Sequence, residues 1–283
     1  MTLSEDMLHE EAAFLREEVG RLRRRLSLLT PGLEVFLKRR GFTIYKREPT
    51  EDLLIPDQQF LDEYYEMLHK YSFRLFLRDV IKHQDLFTLE QVTRYAAPRV
   101  TRGYLDKLCA INMLNRRAGG YSLKKRPIKS FGVTLEWYVA EVFKREFGSE
   151  AVWGVKFKRP KVGGDYDVLA RFETMLLYCE VKSSPPKQIY DSELAAFLDR
   201  VEDLGPEIAV FFMDTELRMK DKIVPLFEAE LARRRDPSPP VTRMVREVFH
   251  INNRIFIMNA KESIVQNIER AVGWYFRKAA SGP

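Results

Sequence analysis

The spacing of apolar positions changes period several times along the chain, and each change marks an element. Leu8, Ala12, Leu15, Val19, Leu22, Leu26 and Leu29 are spaced alternately four and three apart, the a/d seam of a short coiled-coil helix. Acids lead this stretch and arginines close it, which suits the helix dipole, and Thr30-Pro31-Gly32 ends it. Residues 33–40 read as a short helix closed by Gly41, and 42–46 as a strand. Residues 47–58, with Pro49, Pro56 and several acids, read as an extended linker. From Gln59 the helical period returns: a long helix over 60–83 with a break near Tyr71–Ser72, a second over 89–95 capped by Thr88, and a third over 102–112 capped by Thr101. Residues 114–117 and 121–124 then form a small hairpin around Ala118-Gly119-Gly120.

The second half alternates helices with apolar strands. A helix over 134–147 ends at Gly148, and a strand over 151–157 follows. Tyr166–Phe172 and Met175–Val181 are two further strands, rich in Val, Leu, Tyr, Phe and Met. A helix over 189–204 leads to Ile208–Met213, a run apolar on both faces and so a buried strand between helices. A helix over 220–234, a proline-rich loop around 236–240, a strand over 254–258 and a closing helix over 261–279 complete the chain. The basic stretch KKRPIKS at 124–130 is the expected boundary, dividing the chain into 1–30, 31–127 and 128–283.

Chemistry concentrates on the paired strands. With a turn centred on Glu173–Thr174, residues whose numbers sum to 347 lie opposite each other. Asp167 then faces Glu180, Asp165 faces Lys182, and all four side chains project from one side of the sheet. Such a cluster within otherwise apolar strands requires a cation, a solvent cleft, or both. Oxygen donors suit a hard divalent ion such as Mg²⁺. The four histidines are scattered, and Cys109 and Cys179 lie in apolar contexts. Both are read as buried free thiols in a reducing cytoplasm, with no disulfide framework and no metal site built on nitrogen or sulfur.

The formal charge of +6 is modest but uneven. Residues 94–130 hold ten basic side chains and one acid, Asp106, so this segment carries +9 and the remainder −3. That is the electrostatic footprint of a polyanion partner. No apolar run approaches the roughly 20 residues of a membrane span, and Met1 is followed by acids rather than a signal peptide.

Asp167, Glu180 and Lys182, in the pattern Asp–(twelve residues)–Glu–Val–Lys, resemble the PD-(D/E)XK nuclease superfamily, the restriction-endonuclease-like fold. The resemblance runs from about Gly132 to the end of the chain, and the element order α-β-β-β-α-β agrees with it. It implies an α/β fold, a mixed sheet flanked by helices, in which Asp167 and Glu180 hold Mg²⁺, with Mn²⁺ able to substitute, and Lys182 positions or helps to deprotonate the attacking water. An earlier acid on the opening helix often assists in the family. Glu136 falls there, with Glu141 as a competitor, and Asp165 competes with Asp167. The three helices and basic hairpin of 31–127 resemble a winged helix-turn-helix. On that resemblance Arg102, Tyr104 and Lys107 lie on or near the exposed face, Leu105, Leu108 and Ile111 point inward, and Arg116, Arg117 and Tyr121 lie on the wing. The domain order is similar to that of Mrr-type restriction enzymes, although those usually carry Gln where this chain has Glu180. The expected activity is Mg²⁺-dependent hydrolysis of DNA phosphodiester bonds, on double-stranded DNA, by a cytoplasmic homodimer paired through its first helix. Two alternatives accompany it: a non-catalytic DNA-binding regulator or assembly subunit, and a nuclease acting on RNA or on branched or single-stranded DNA.

Overall fold

The computed structural model describes residues 14–15, 18–19, 21–22, 25, 31–158 and 161–280. The chain divides into two compact units, 1–44 and 45–283. In the first, helix α1 spans Leu33–Arg39, with Leu33 and Leu37 as its buried positions. Most of the seam expected over residues 8–29 lies outside the described residues; Leu15, Val19 and Leu22 are helical and exposed. Strand β1, Ile44–Lys46, falls on the division and contributes Tyr45 and Lys46 to the larger unit.

The larger unit opens with helices α2 (Leu61–Leu68) and α3 (Tyr71–Lys82). The long helix expected here breaks at His69–Lys70, just ahead of the expected point. Helix α4 (Leu89–Val92) carries a capping box, with the Thr88 N–H donating to Gln91 Oε1 at 2.8 Å. Helix α5 runs over Pro98–Ala110, starting four residues earlier than the sequence reading. Pro98 is suited to a first turn, where its missing N–H costs nothing. Thr101 is therefore not a cap. It lies inside the first turn of the helix, and its hydroxyl points back to the carbonyl of Ala97.

Strands β2 (Leu114–Arg117) and β3 (Gly120–Leu123) form the small hairpin. Phe87 adds one bridge to it, exchanging both backbone hydrogen bonds with Tyr121 at 2.8 Å. A Cβ at Gly120 would lie 2.2 Å from the Phe87 carbonyl oxygen, so this close approach requires glycine.

Helix α6 (Gly132–Glu146) leads into the sheet strands β4 (Glu150–Phe157), β5 (Tyr166–Phe172) and β6 (Met175–Lys182). Helix α7 (Asp191–Leu204), β7 (Ile208–Met213) and helix α8 (Ile223–Arg234) follow. The chain closes with β8 (Thr242–Val245), β9 (Val248–Ile251), β10 (Ile255–Asn259) and helix α9 (Ile264–Ala280). The eight-stranded sheet is ordered β1-β4-β5-β6-β7-β10-β9-β8. It is mixed: β6 and β10 flank β7 in parallel, while β4-β5-β6 and β10-β9-β8 are antiparallel. The β8–β9 pair was absent from the sequence reading, which passed from the proline-rich loop directly to the last strand.

One apolar cluster joins the helical part to one face of the sheet. It includes Tyr64, Phe73, Phe76, Leu105 and Leu108, then Trp137 and Tyr138 of α6, then Val168, Cys179, Val210 and Phe212. The other face is covered by α7 and α8 through a chain of rings. Tyr166, Tyr178, Phe197, Phe211 and Phe227 follow one another at centroid distances of 5.2, 5.7, 5.3 and 5.3 Å. Cys179 is buried in the first layer, and Cys109 on α5 is half-buried; both are free thiols.

Candidate functional site

The β5–β6 register follows the sum of 347: Phe172 pairs with Met175, and Val168 with Cys179. The ladder stops there, one pair short of Asp167 and Glu180. In place of the next rung, the Val181 N–H donates to Asp167 Oδ2 at 2.7 Å. Side-chain alternation breaks at this point. Val168 belongs to the layer under α6, yet Tyr166, two residues earlier, packs against Tyr178 on the opposite face. Asp167 therefore reaches along the sheet into the gap between the strands. On the neighbouring strand β4, Gly154 has φ +56, and a Cβ there would sit 2.5 Å from Pro49 and 3.7 Å from Glu136 Oε2. The absent side chain lets the linker and α6 close over the same gap.

Three carboxylates converge electrostatically. Burial and the charges of Glu180 and Glu136 push Asp167 well above the usual carboxylate range, against the Val181 bond and Lys182. Burial, Glu180 and Asp165 push Glu136 up to about 7, with Lys182 opposing. Glu180 is 1% exposed and faces α7. Arg200 Nη2 donates to its Oε1 at 2.8 Å and to its Oε2 at 2.9 Å, and the Tyr178 hydroxyl donates to Oε2. Lys182 Nζ lies 2.9 Å from Glu180 Oε1 and 3.1 Å from Glu193 Oε1. Burial pulls the Lys182 pKa down, but Glu180 and Asp167 outweigh it and hold the amine above its ordinary value. Asp165 is exposed and pairs with Lys156 at 2.9 Å rather than lying against Lys182. Glu141 is paired with Lys144 and Arg145 on its own helix.

The residues expected at a nucleic-acid face are distributed differently from the sequence reading. Arg102, Lys107, Arg116 and Arg117 are exposed. Tyr104 is not: it is 7% exposed, its ring lies 5.0 Å from that of Phe73, and its hydroxyl is 2.9 Å from Ser72 Oγ. Thr101, Tyr104, Leu105 and Leu108 make the buried stripe of α5, so Tyr104 flanks the core side of that helix. Tyr121 is half-buried against Phe87. Lys107 is paired with Glu63, and Arg116 with Asp106 at 2.9 Å.

No protein-family model matches the sequence, and no curated protein matches it. The solved structures it matches include two that superpose only loosely. Protein VC1899 from Vibrio cholerae superposes with a TM-score of 0.45 at 14% identity, over 88% of this chain and 62% of that one. Can2 from Sulfobacillus thermosulfidooxidans, in complex with cyclic tetra-adenylate, gives 0.42 at 14% identity, over 86% and 60%. The chain thus spans about three fifths of the length of each.

Among the described residues no group of three or more His, Cys, Asp or Glu stands ready to hold a metal ion. The donor chemistry at the gap, all carboxylate, fits a hard divalent cation. Its arrangement leaves Glu180 committed to Arg200, so Asp167 and Glu136 are the carboxylates nearest to serving one. The sequence reading missed Arg200 and Tyr178. A signal was present: a glutamate on a central strand needs a cation, and Arg200 is the only basic residue in the helix Asp191–Leu204. No described helix is long and apolar enough to cross a membrane.

Proposed function

We propose that the chain is a metal-dependent phosphodiesterase acting on nucleic acid, with its reacting centre at the gap between β5 and β6. The observation that carries this reading is the excess of acid there: Asp167 and Glu136, both half-buried, are raised by desolvation and by neighbouring carboxylates. Structural ion pairs lower carboxylate pKa values, whereas raised ones cluster where a ligand or reaction completes the charge balance. Asp167 and Glu136 would hold Mg²⁺ or Mn²⁺, with Glu180 joining if it turns from Arg200. The bound ion would supply an activated water and stabilise charge on the phosphoryl oxygens. Lys182 stays protonated under the pull of Glu180 and Asp167, so it acts as a positive charge toward the phosphate rather than as a base. Within the helical part, α3, α4 and α5 with the β2–β3 hairpin and the Phe87 bridge serve as a winged-helix module that presents Arg102, Lys107, Arg116 and Arg117 to DNA.

A second reading is favoured by one observation. Arg200, Tyr178 and Lys182 between them occupy both oxygens of Glu180, as expected of a nuclease-like fold that only binds. Incubation with plasmid, single-stranded DNA and RNA in Mg²⁺, Mn²⁺ or EDTA separates the two. Metal-dependent cleavage that is lost in Asp167→Asn supports the enzyme. Binding without cleavage under every condition supports the second reading.

A further inference from the structure

A cavity of about 760 Å³ opens beside the ends of β6 and β7, between those strands and α3. Its volume is within the roughly 300–1,000 Å³ of small-molecule sites. Three cations line it: Arg78 and Lys82 from α3, and Arg94 from the turn after α4. Arg78 gives Nη2 to Asp214, at 2.5 Å to Oδ2 and 3.1 Å to the backbone oxygen. Its Nε is buried and has no hydrogen-bond partner among the described residues. Lys82 and Arg94 are exposed.

With Arg74 behind Asp214 counted, four cations meet three lining acids, Asp79, Asp214 and Glu216, and leave one positive charge over. Asp214 is held by Arg74 and Arg78 together. Asp79 has Oδ2 buried without a partner, and burial lifts its pKa against the pull of Arg94 and Lys82. Glu216 is exposed. Two of the protein's exposed large apolar side chains, Tyr95 and Leu217, line the same cavity. The Arg94 guanidinium lies 5.3 Å from the Tyr95 ring centroid. A charged cleft beside an accessible ring is the arrangement that holds a base together with its phosphate.

We propose that this cavity binds one nucleoside phosphate unit, with the phosphate on Lys82 and Arg94 and the base against Tyr95 and Leu217. Two sources share that chemistry, a free nucleotide and an unpaired nucleotide within a strand. The proposal is independent of cleavage, because occupation of the cavity needs neither metal nor turnover. Ser183, on its wall, directly follows Lys182, so an occupied cavity would neighbour the acid site in the chain.

The test is calorimetric titration of the full chain, in EDTA, with AMP and separately with a short single-stranded oligonucleotide. Tyr95→Ala, and Lys82→Gln combined with Arg94→Gln, replace exposed side chains and are expected to stay folded, which the melting temperature checks. Each is expected to weaken binding about tenfold. Loss of AMP binding assigns the cavity to free nucleotides, and loss confined to the oligonucleotide assigns it to a strand; either result upholds it. Asp167→Asn retains this binding, which separates failure here from failure of the nuclease reading. Variants that bind within twofold of wild type, or a wild-type chain that binds neither probe, overturn the proposal.

Discussion

Two buried acidic centres stand side by side at the ends of neighbouring parallel strands, and they are built oppositely. Lys182 pairs with Met213 across β6 and β7, and Asp214 directly follows the end of β7. Asp214 is 1% exposed and has two guanidinium partners, Arg74 and Arg78, both from α3. Its charge is more than matched, and the pair ties the helical part to the sheet. On the β6 side, three acids, Asp167, Glu180 and Glu136, face two cations among the described residues, Lys182 and Arg200. Compensation at Asp214 reads as architecture. The uncompensated acids a few residues away read as a place where something arrives. Burying a charge tells little by itself; the sign left over distinguishes the two centres.

Cleavage tests the difference most strongly. Asp167→Asn and Lys182→Ala are expected to reduce metal-dependent cleavage by about 10²–10⁴-fold, with melting temperatures near that of wild type. Plasmid-relaxation rates in Mg²⁺ check this, and normal cleavage by both variants would remove the β5–β6 gap from consideration. Asp214→Ala should do the reverse. It leaves Arg74, 1% exposed, with no carboxylate, and is expected to cost about 3–5 kcal/mol of stability by urea denaturation. A loss below about 1 kcal/mol would mean that the arginines find water and that the network anchors nothing.

A smaller effect follows from Glu136, whose pKa is raised from the ordinary 4.5 to about 7. Between those values the folded chain binds more protons than the unfolded one, so stability falls as pH rises through that window. Above pH 7 the whole penalty is present. Glu136→Gln removes it and should raise stability at pH 8 by on the order of 2–3 kcal/mol, with little change at pH 4. Mg²⁺ should raise the melting temperature of wild type at pH 8 more than that of Glu136→Gln. Equal metal responses would detach Glu136 from any cation site.

The hairpin at the centre of the site was legible because its residues speak locally. A turn placed at Glu173–Thr174 between two apolar runs fixes one register, and the observed pairs follow it. What escaped was set by contacts remote in sequence. The side chain of Asp167 replaces a ladder rung, which nothing in the β5 sequence signals. Tyr104 looked like a groove-facing polar residue, but Ser72 on α3 accommodates its hydroxyl and frees the ring to pack on Phe73. The β8–β9 pair was missed for two reasons. Thr242–Val245 is half exposed and carries little apolar signal, and Val248–Ile251 is four buried residues, too short for a period to show.

The exposed basic side chains of α5 and the β2–β3 hairpin form a third class of ion pair, and they predict the smallest effect. Lys107 with Glu63 and Arg116 with Asp106 are surface pairs, with side-chain exposures of 59% and 40%, and 69% and 55%. Such pairs are worth about 0–1 kcal/mol, so a phosphate can take either cation from its carboxylate at little cost. Asp214 could not release Arg74 so cheaply. If this surface binds DNA, Arg102→Gln with Lys107→Gln, or Arg116→Gln with Arg117→Gln, weakens affinity for duplexes of any sequence. Each lost phosphate contact reduces the slope of log affinity against log salt by about 0.9, so a double variant should lose about 1.8. Glu63→Gln with Asp106→Asn should move the other way, tightening binding at low salt because Lys107 and Arg116 no longer have to exchange partners. Fluorescence anisotropy across a salt series reads all three variants. A slope that none of them changes would leave the hairpin and α5 as a surface for protein rather than DNA.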